Sequence, residues 1–341
     1  MTLRDIESQR YRAHELYGDF WFNSEPLPIS ALRGQVILLE VWDYTCTSSL
    51  RTLPYIKEWD QKYHEHGLVV VGVHTPKFPF AKDPEAVQKA IASLGIRFPV
   101  VMDNEHLIAA HYDQRVWPTM YLVDKNGFVR FQSDGEGNYD VIERAIQTLL
   151  HDARVGEQLP LLMQPIREED RQGAALYRPM PEIFAGYLRG SIGNIEGYSP
   201  ESVVEYTDPE VYLPGRFYVD GRWLNQRDCL SFFRQADNQG HVIVKYQALE
   251  VNAVLRSEKE PCKLIVSQDG QPLDQENRGL DVSLEPRGQS QLNVQEARLY
   301  SIIRNREYGE HTLKMAAGTD GLALYSFAFV TSLIPELVSN N

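Results

Sequence analysis

The chain has 341 residues, enough for two domains of ordinary size, and its 43% hydrophobic content is sufficient to build packed cores. Its formal net charge is −13, from 34 basic and 47 acidic residues. An acidic chain without a basic stripe argues against nucleic acids and anionic membranes as partners.

The sequence shows no signal for export or for membrane insertion. Its opening segment is charged throughout, unlike a secretory signal peptide. No apolar run approaches the roughly 20 residues that span a bilayer. The three cysteines, Cys46, Cys229 and Cys262, cannot all pair within the chain, which fits a reducing compartment. We therefore expect a cytoplasmic protein without a membrane span, or an extracytoplasmic one if a leader has been removed.

The first half of the chain alternates between apolar strand-like runs and helical segments. The predicted strands are QVILLEVW (35–42), LVVVGV (68–73), FPVVMD (98–103), TMYLVD (119–124) and FVRFQS (128–133). The predicted helices are 47 to about 66, 83–94, the short segment EHLIAAHY, and 139–151. This order predicts an α/β fold over residues 1–152, with a mixed central sheet flanked by helices.

The second half of the chain has a different sequence pattern. Residues 153–180 lack sustained periodicity and are predicted to form a partly ordered linker. From 181 to 341, turns separate short alternating strands, namely RFYVDG, HVIVKYQ, KLIVSQ, RLYSIIR, HTLKMAA and LALYSFAFV. They predict an antiparallel β-sandwich or jelly roll. Most of its aromatic residues are expected in the core; Trp223, near a turn, is the one expected to be exposed if this domain binds a ligand.

Cys46 is predicted to lie between a buried strand and the first turn of a helix. Free backbone N–H groups and the positive end of the helix dipole would lower its pKa there, unless Cys46 is simply a small core residue. Glu40, on the preceding strand, is expected to be buried with a raised pKa and to exchange a proton with the sulfur. Trp117–Pro118 precedes another strand, where a cis proline would expose backbone to a bound chain; a trans loop proline is the alternative.

These residues together resemble the thioredoxin superfamily. Cys46 matches its attacking cysteine, Glu40 its buried acid, Pro54 its helix kink and Pro118 its cis proline. More narrowly, residues 35–150 are similar to the TlpA-like, redoxin-type domains at the C-terminal end of DipZ proteins. The segments that carry this similarity are RTLPYIKEW, GLVVVGVHTP, FPVVMDN, WPTMYLVDKNG and GEGNYDVIERAIQ.

The resemblance extends to the second half, because the redoxin-type domain of that family is followed by a jelly roll that resembles carbohydrate-binding modules. It implies a thioredoxin-like redox function with protein or low-molecular-weight thiol and disulfide substrates, and no cofactor. It also implies a glycan or protein ligand for the second domain.

The sequence departs from the family at one critical position. The family motif is Cys-x-x-Cys, whereas this chain reads Cys46-Thr47-Ser48-Ser49, with Ser49 in the resolving position. The second thiol normally breaks the mixed disulfide, and serine cannot do so at neutral pH. A monothiol cycle, peroxide oxidation to a sulfenic acid, a decayed site and an engineered substitution all remain open. Cys229 and Cys262 are predicted structural thiols, with pairing to each other or resolution of Cys46 as alternatives.

Three functions follow from these residues. The first is a thiol–disulfide oxidoreductase-like protein, monothiol or impaired in turnover, whose substrate-binding residues are predicted to be Trp42, Tyr44, Thr45, Thr47, Trp117 and Pro118. The second is a non-catalytic binding or scaffold protein. The third is a monothiol peroxidase, although that class carries a threonine three residues before its cysteine, where this chain has Asp43. No metal site is predicted, because the histidines lack metal-ligand spacing.

Overall fold

The computed structural model describes residues 11–156, 158–234, 240–286 and 288–335. The chain divides into two compact units between Ala174 and Ala175. Within the described ranges, no helix combines the length and apolar character that a bilayer crossing requires.

The first unit is built on a mixed seven-stranded sheet. Its strands are β1 (Tyr11–Arg12), β2 (Trp21–Phe22), β3 (Val36–Trp42), β4 (Leu68–His74), β5 (Val100–Met102), β6 (Thr119–Val123) and β7 (Phe128–Asp134). Its helices are α1 (Thr47–Tyr63), α2 (Pro84–Ser93), α3 (Leu107–His111) and α4 (Tyr139–Ala153). The strand order is β1-β7-β6-β3-β4-β5-β2, with β3, β4 and β5 parallel and the other pairs antiparallel. The predicted mixed sheet flanked by helices is confirmed.

Strand β3 lies at the centre of this sheet and is buried along its whole length. Its even-numbered residues, Leu38 and Trp42 among them, belong to the core beneath α1 and α4. Its odd-numbered residues, such as Ile37, belong to the core on the opposite face. Because side chains alternate along a strand, Glu40 points to the face that α1 covers.

Two helices differ in extent from their predictions. The helix predicted to end near 66 ends at Tyr63, and the backbone then turns, with the N–H of His66 donating to the carbonyl of Tyr63 at 3.0 Å. Helix α3 begins only at Leu107, because His106 has a φ of 58°. The carboxylate of Asp103 then accepts from backbone N–H groups of the first turn. Capping by a side chain five and six residues before the donors has no periodic signature in the sequence.

The segment predicted to be a linker lies largely on the first unit. We call residues 158–171 the strap. Its backbone is held by side chains of the helices: the N–H of Met163 donates to Glu143 at 2.9 Å, and the N–H of Ile166 donates to the Tyr55 hydroxyl at 2.7 Å. Because side chains satisfy much of this backbone, and its regular structure is a single short 3-10 helix (Glu168–Asp170), the segment shows no hydrophobic period.

The second unit is strand-rich and antiparallel. Its strands are β8 (Ile183–Phe184), β9 (Val203–Tyr206), β10 (Phe217–Asn225), β11 (Leu230–Phe232), β12 (Gly240–Ser257), β13 (Cys262–Gln268), β14 (Gln271–Pro272), β15 (Val282–Leu284), β16 (Ser290–Val294), β17 (Arg298–Ala317) and β18 (Leu322–Val330). Strand β12 pairs with β10 through its first part and with β18 through its last part. Since β11 pairs with both β10 and β18, these four strands close a circuit around one apolar core. The predicted all-β second domain is confirmed at this level.

The expected exposure of Trp223 is wrong. Its side chain is completely buried, its Nε1 donates to the carbonyl of Asp220 at 2.9 Å, and its ring packs against Phe232. The alternation of β10 directs this indole into the core, and proximity to a turn does not override that alternation. Cys229 and Cys262 are also buried, and neither forms a disulfide. Burial raises the pKa of Cys229 to about 12, as expected of a structural thiol.

Replacing Glu143 with alanine should release the strap and destabilise the first unit. The buried carboxylate accepts from Lys62 Nζ at 2.7 Å, from the Tyr63 hydroxyl at 2.6 Å and from the N–H of Met163 at 2.9 Å. Glu143→Ala leaves these donors, one of them charged, without their acceptor. We expect a loss of about 3 kcal/mol in the free energy of unfolding, measured by urea titration.

Limited proteolysis provides the second measurement for this variant. Cleavage should begin within 158–171 in Glu143→Ala and be much slower in the original chain. Glu58→Ala removes an exposed glutamate of α1 and should change stability by less than about 0.5 kcal/mol. Equal protease resistance of the strap in Glu143→Ala and in the original chain would contradict its anchoring by this carboxylate.

Candidate active site around Cys46

Cys46 stands at the N-terminus of α1, directly after the loop that follows β3. It is the N-cap residue, with an extended backbone (φ −96°, ψ 116°), and its carbonyl accepts the first helical bond from the N–H of Leu50 at 3.0 Å. The sulfur therefore lies where unpaired N–H groups and the helix dipole favour negative charge. Its side chain is nearly buried, with 7% exposure, so access is restricted to one side.

The residues before β6 face this sulfur. The Trp117–Pro118 peptide bond is cis, and the Cys46 Sγ lies 3.7 Å from the carbonyl oxygen of Trp117. The indole Nε1 of Trp117 donates to the carbonyl of Thr75 at 2.9 Å, which fixes the ring against the loop after β4. The structure thus brings together Cys46 and Trp117–Pro118, which lie far apart in the sequence.

Ser49 lies in the first turn of α1 and is buried. Its Oγ accepts a hydrogen bond from the N–H of Asp43 at 3.4 Å. The hydroxyl therefore supports the loop before the helix and supplies no thiol chemistry. Cys46 is the only cysteine in the sequence of the first unit.

Glu40 is completely buried in the middle of β3. Among the residues that the structure describes, neither of its carboxyl oxygens has a hydrogen-bond partner. Burial without a partner penalises the charged form and raises the pKa of Glu40 to about 8. The carboxyl group is therefore largely protonated at neutral pH.

Two of the predicted substrate-binding aromatics pack on a histidine. Trp42 meets the ring of His74 edge-on at 5.4 Å, and Tyr44 stacks on the same ring at 5.5 Å. The indole of Trp42 also covers Gly72, where a Cβ would come within 2.9 Å of Nε1. Both aromatic side chains are buried. Their rings pack on His74 next to the loop that carries Cys46.

The predicted threonines occupy different positions. Thr45 is buried, and its N–H and hydroxyl both donate to the carboxylate of Asp43. Thr47 is the first residue of α1 and is partly exposed, as is Trp117. Of the predicted substrate-binding residues, Thr47 and Trp117 are therefore those that an approaching molecule reaches.

Sequence reasoning missed a buried polar group beside the cysteine loop. Asp43, His74 and Asp103 lie at or just beyond the carboxyl ends of β3, β4 and β5, and all three are buried. His74 Nε2 is 3.7 Å from Asp43 Oδ2, and burial lowers the pKa of His74 despite the opposing effects of Asp43 and Asp103. The positions of these residues in the sequence could have revealed the group, because each follows or ends a predicted parallel strand and the carboxyl ends of parallel strands share one edge of a sheet. The described residues contain no cluster suited to a metal ion.

Two family models match the chain in succession. Residues 22–132 match the AhpC/TSA family, and residues 180–329 match the thioredoxin like C-terminal domain. The two matches fall in the first and second units of the structure, respectively. Each unit thus matches its own family model, and the second unit is all-β.

Curated relatives extend this similarity. Protein DipZ of Mycobacterium bovis is 34% identical over 259 residues, which is 74% of this chain and 35% of DipZ. This chain therefore spans about a third of the length of that relative. Thiol-disulfide oxidoreductase ResA of Geobacillus kaustophilus is 28% identical over 123 residues, covering 36% of this chain and 67% of ResA. Among solved structures, a thiol-disulfide isomerase from Corynebacterium glutamicum is 27% identical. The match covers 40% of this chain and 96% of the isomerase chain, with a TM-score of 0.37.

Replacing Glu40 with glutamine should change how stability depends on pH. The pKa of this carboxyl is 4.5 in a solvated reference state and about 8 when folded, so the folded chain retains a proton that the unfolded chain loses. Below pH 4.5 the carboxyl is protonated in both the folded and the unfolded chain, so folding carries no penalty for it. Between pH 4.5 and about pH 8 the free energy of unfolding falls by roughly 1.4 kcal/mol per pH unit. Glu40→Gln carries no such proton.

Urea unfolding at a series of pH values measures this effect. The stability of Glu40→Gln minus that of the original chain should increase between pH 5 and pH 8 and then level off. Glu58→Gln makes the same chemical change at an exposed position of α1 and provides the matched control. A flat difference for Glu40→Gln would show that Glu40 titrates as a solvated carboxyl.

Proposed function

We propose that this chain, a thioredoxin-like relative of DipZ and of the thiol–disulfide oxidoreductase ResA, exchanges disulfides through the single sulfur of Cys46. The observation that carries this proposal is the position of that sulfur at the N-terminus of a 17-residue helix, 3.7 Å from the Trp117 carbonyl. Helix N–H groups stabilise a thiolate, and a thiolate is the nucleophile in disulfide exchange. The similarity to ResA over the first unit supports the same chemistry.

The proposed cycle uses one protein thiol and one external thiol. The Cys46 thiolate attacks a disulfide R–S–S–R′, forms a Cys46–S–S–R bond and releases R′–S⁻. Because Ser49 cannot break this bond, a low-molecular-weight thiolate R″–S⁻ attacks the R sulfur, which releases R–S–S–R″ and regenerates the Cys46 thiolate. The sum is R–S–S–R′ + R″–SH → R–S–S–R″ + R′–SH, so the protein undergoes no net redox change.

We assign proton transfer in this cycle to Glu40. Its carboxyl lies on the sheet face that α1 covers, and its pKa of about 8 lies near the working pH of a general acid–base group. Its protonated carboxyl can donate a proton to the departing thiolate R′–S⁻, and the carboxylate so formed can take a proton from the incoming thiol R″–SH. The partly exposed Thr47 and Trp117 would contact the incoming disulfide.

Glutathione disulfide should form one covalent adduct with the full chain. We expect a single glutathionyl group on the peptide that contains Cys46, detected by mass spectrometry, because this is the thiol placed at a helix N-terminus. The variant Cys46→Ser should show no adduct, and Cys229→Ser/Cys262→Ser should retain it. An adduct only on the second-unit cysteines, or on none, would contradict the proposal.

Restoring the second thiol should allow the mixed disulfide on Cys46 to be broken rapidly. In Ser49→Cys, the glutathionyl adduct should be replaced by a disulfide within the motif, and reduction of insulin disulfides should rise by about tenfold or more, since the resolving step becomes intramolecular. Ser48→Cys makes the same chemical change one position earlier and should gain much less. A Ser49→Cys variant that forms the adduct but stays inactive would indicate a site that has lost turnover for another reason.

A monothiol peroxidase is the second candidate, and the match to the AhpC/TSA family favours it. In that reaction the Cys46 thiolate would attack hydrogen peroxide, giving Cys46–SOH and hydroxide. Trapping with dimedone distinguishes the two functions, because only a sulfenic acid forms the adduct. Asp43 in place of the peroxidase threonine ranks this function below disulfide exchange.

For the second unit we propose a binding module with jelly-roll topology. Its closed circuit of strands supports this topology, and the burial of Trp223 removes the aromatic side chain that was expected to be exposed to a ligand. We also propose a cytoplasmic location, supported by the count of three cysteines in the sequence, which cannot all pair within the chain and so fits a reducing compartment. Cell fractionation with thiol labelling tests this location.

A further inference from the structure

Three loops are connected to one another by hydrogen bonds near Cys46. The first, 43–46, follows β3; the second, 75–77, follows β4; the third, 116–118, precedes β6. The second loop is joined to its neighbours by backbone and indole bonds: the N–H of Thr75 donates to Trp42, and Trp117 Nε1 donates to the carbonyl of Thr75. The position of the sulfur therefore depends on how firmly the first loop is held to the second.

The carboxylate of Asp43 makes that connection. Its Oδ1 accepts from the N–H of Thr45 at 2.5 Å and from the Thr45 hydroxyl, within the first loop. Its Oδ2 accepts from the N–H of Lys77 at 2.7 Å, in the second loop. The side chain is completely buried, so water does not replace these bonds.

The backbone of Asp43 also forms two hydrogen bonds, one with the cysteine itself and one with the first turn of α1. Its carbonyl accepts from the N–H of Cys46 at 3.1 Å, and its N–H donates to Ser49 Oγ at 3.4 Å. One residue therefore connects the second loop, the cysteine backbone and the first turn of α1. Loss of the carboxylate would leave two buried backbone N–H groups without this acceptor, and each such group is costly.

We infer that Asp43 is a positioning residue for Cys46, which fixes the sulfur for attack by fastening the cysteine loop to the loop after β4. This inference rests on the proposed disulfide exchange and adds the residue on which its geometry depends. Asp43 acts through the backbone of the loop and takes no part in bond making. Its effect is therefore on the orientation of the thiolate rather than on the fraction of thiol that is ionised.

The test compares Asp43→Ala with Asp124→Ala in the full chain. Asp124 is also a buried carboxylate that accepts from loop N–H groups, those of Asn126 and Phe128, but it lies in the β6–β7 hairpin. The second-order rate of Cys46 adduct formation with glutathione disulfide is measured by mass spectrometry from pH 6 to pH 10. Circular dichroism confirms that each variant is folded.

Asp43→Ala should lower the alkaline plateau of this rate about tenfold, equivalent to about 1.4 kcal/mol, whereas Asp124→Ala should stay within about twofold. Asp43→Asn keeps one oxygen acceptor for Thr45 and should recover part of the rate. If Asp43→Ala does not fold, Thr45→Val removes only the hydroxyl contact and should reduce the plateau about threefold.

An unchanged plateau in folded Asp43→Ala would overturn the inference, and so would a shift of the pH midpoint without a change in plateau, since that marks an effect of charge alone. Alkylation of Cys46 by iodoacetamide is measured in parallel. If the original chain is alkylated with the predicted dependence on Asp43 but forms no glutathione adduct, the proposed function fails while the positioning role stands. If both reactions are slow in the original chain, both conclusions fail.

Discussion

The candidate site depends on one constraint, that β3 is buried on both faces and the chain must leave its end by turning directly into α1. A strand at the centre of a sheet cannot leave its terminal groups unsatisfied, so the residues after Trp42 take up hydrogen bonds with the neighbouring loop. Asp43 supplies those bonds from its carboxylate, and Cys46 becomes the N-cap of the helix. The chemistry of the sulfur is thus a consequence of how this strand ends.

The same burial sets the properties of the acid beneath the helix. Glu40 stands among apolar residues of the central strand, with no described hydrogen-bond partner for either oxygen. An apolar residue at this position would give a more stable protein, because a buried carboxyl without a partner is unfavourable whenever the carboxyl ionises. Retention of such a group at the face covered by α1 is typical of a site where function rather than stability selects the residue. Ser49 shows the opposite case, since its hydroxyl is satisfied by a backbone donor and serves the fold.

The strap gives α1 a second support besides the apolar core. Tyr55 of α1 donates to Asp170 at 2.8 Å and accepts from the N–H of Ile166, while the guanidinium of Arg167 donates to the carbonyl of Arg51 at 2.9 Å. These bonds fasten the strap, whose regular structure is a single short 3-10 helix, to the helix whose first turn carries the cysteine motif. The helix that begins at the cysteine motif is therefore held both by the apolar core and by polar contacts with the strap.

The sequence by itself determined the strand and helix order of the first unit, the strand-rich character of the second, and the place of Cys46 between β3 and α1. Apolar runs, helical spacing and turn residues are local signals, and they encode these features directly. The tertiary structure decided the rest. Only folding brings Lys77 and Trp117 to the cysteine loop, buries Trp223 instead of exposing it, and places the segment after α4 against Tyr55. These features depend on contacts between residues distant in the chain, and no local period or spacing records which distant group satisfies a given buried donor.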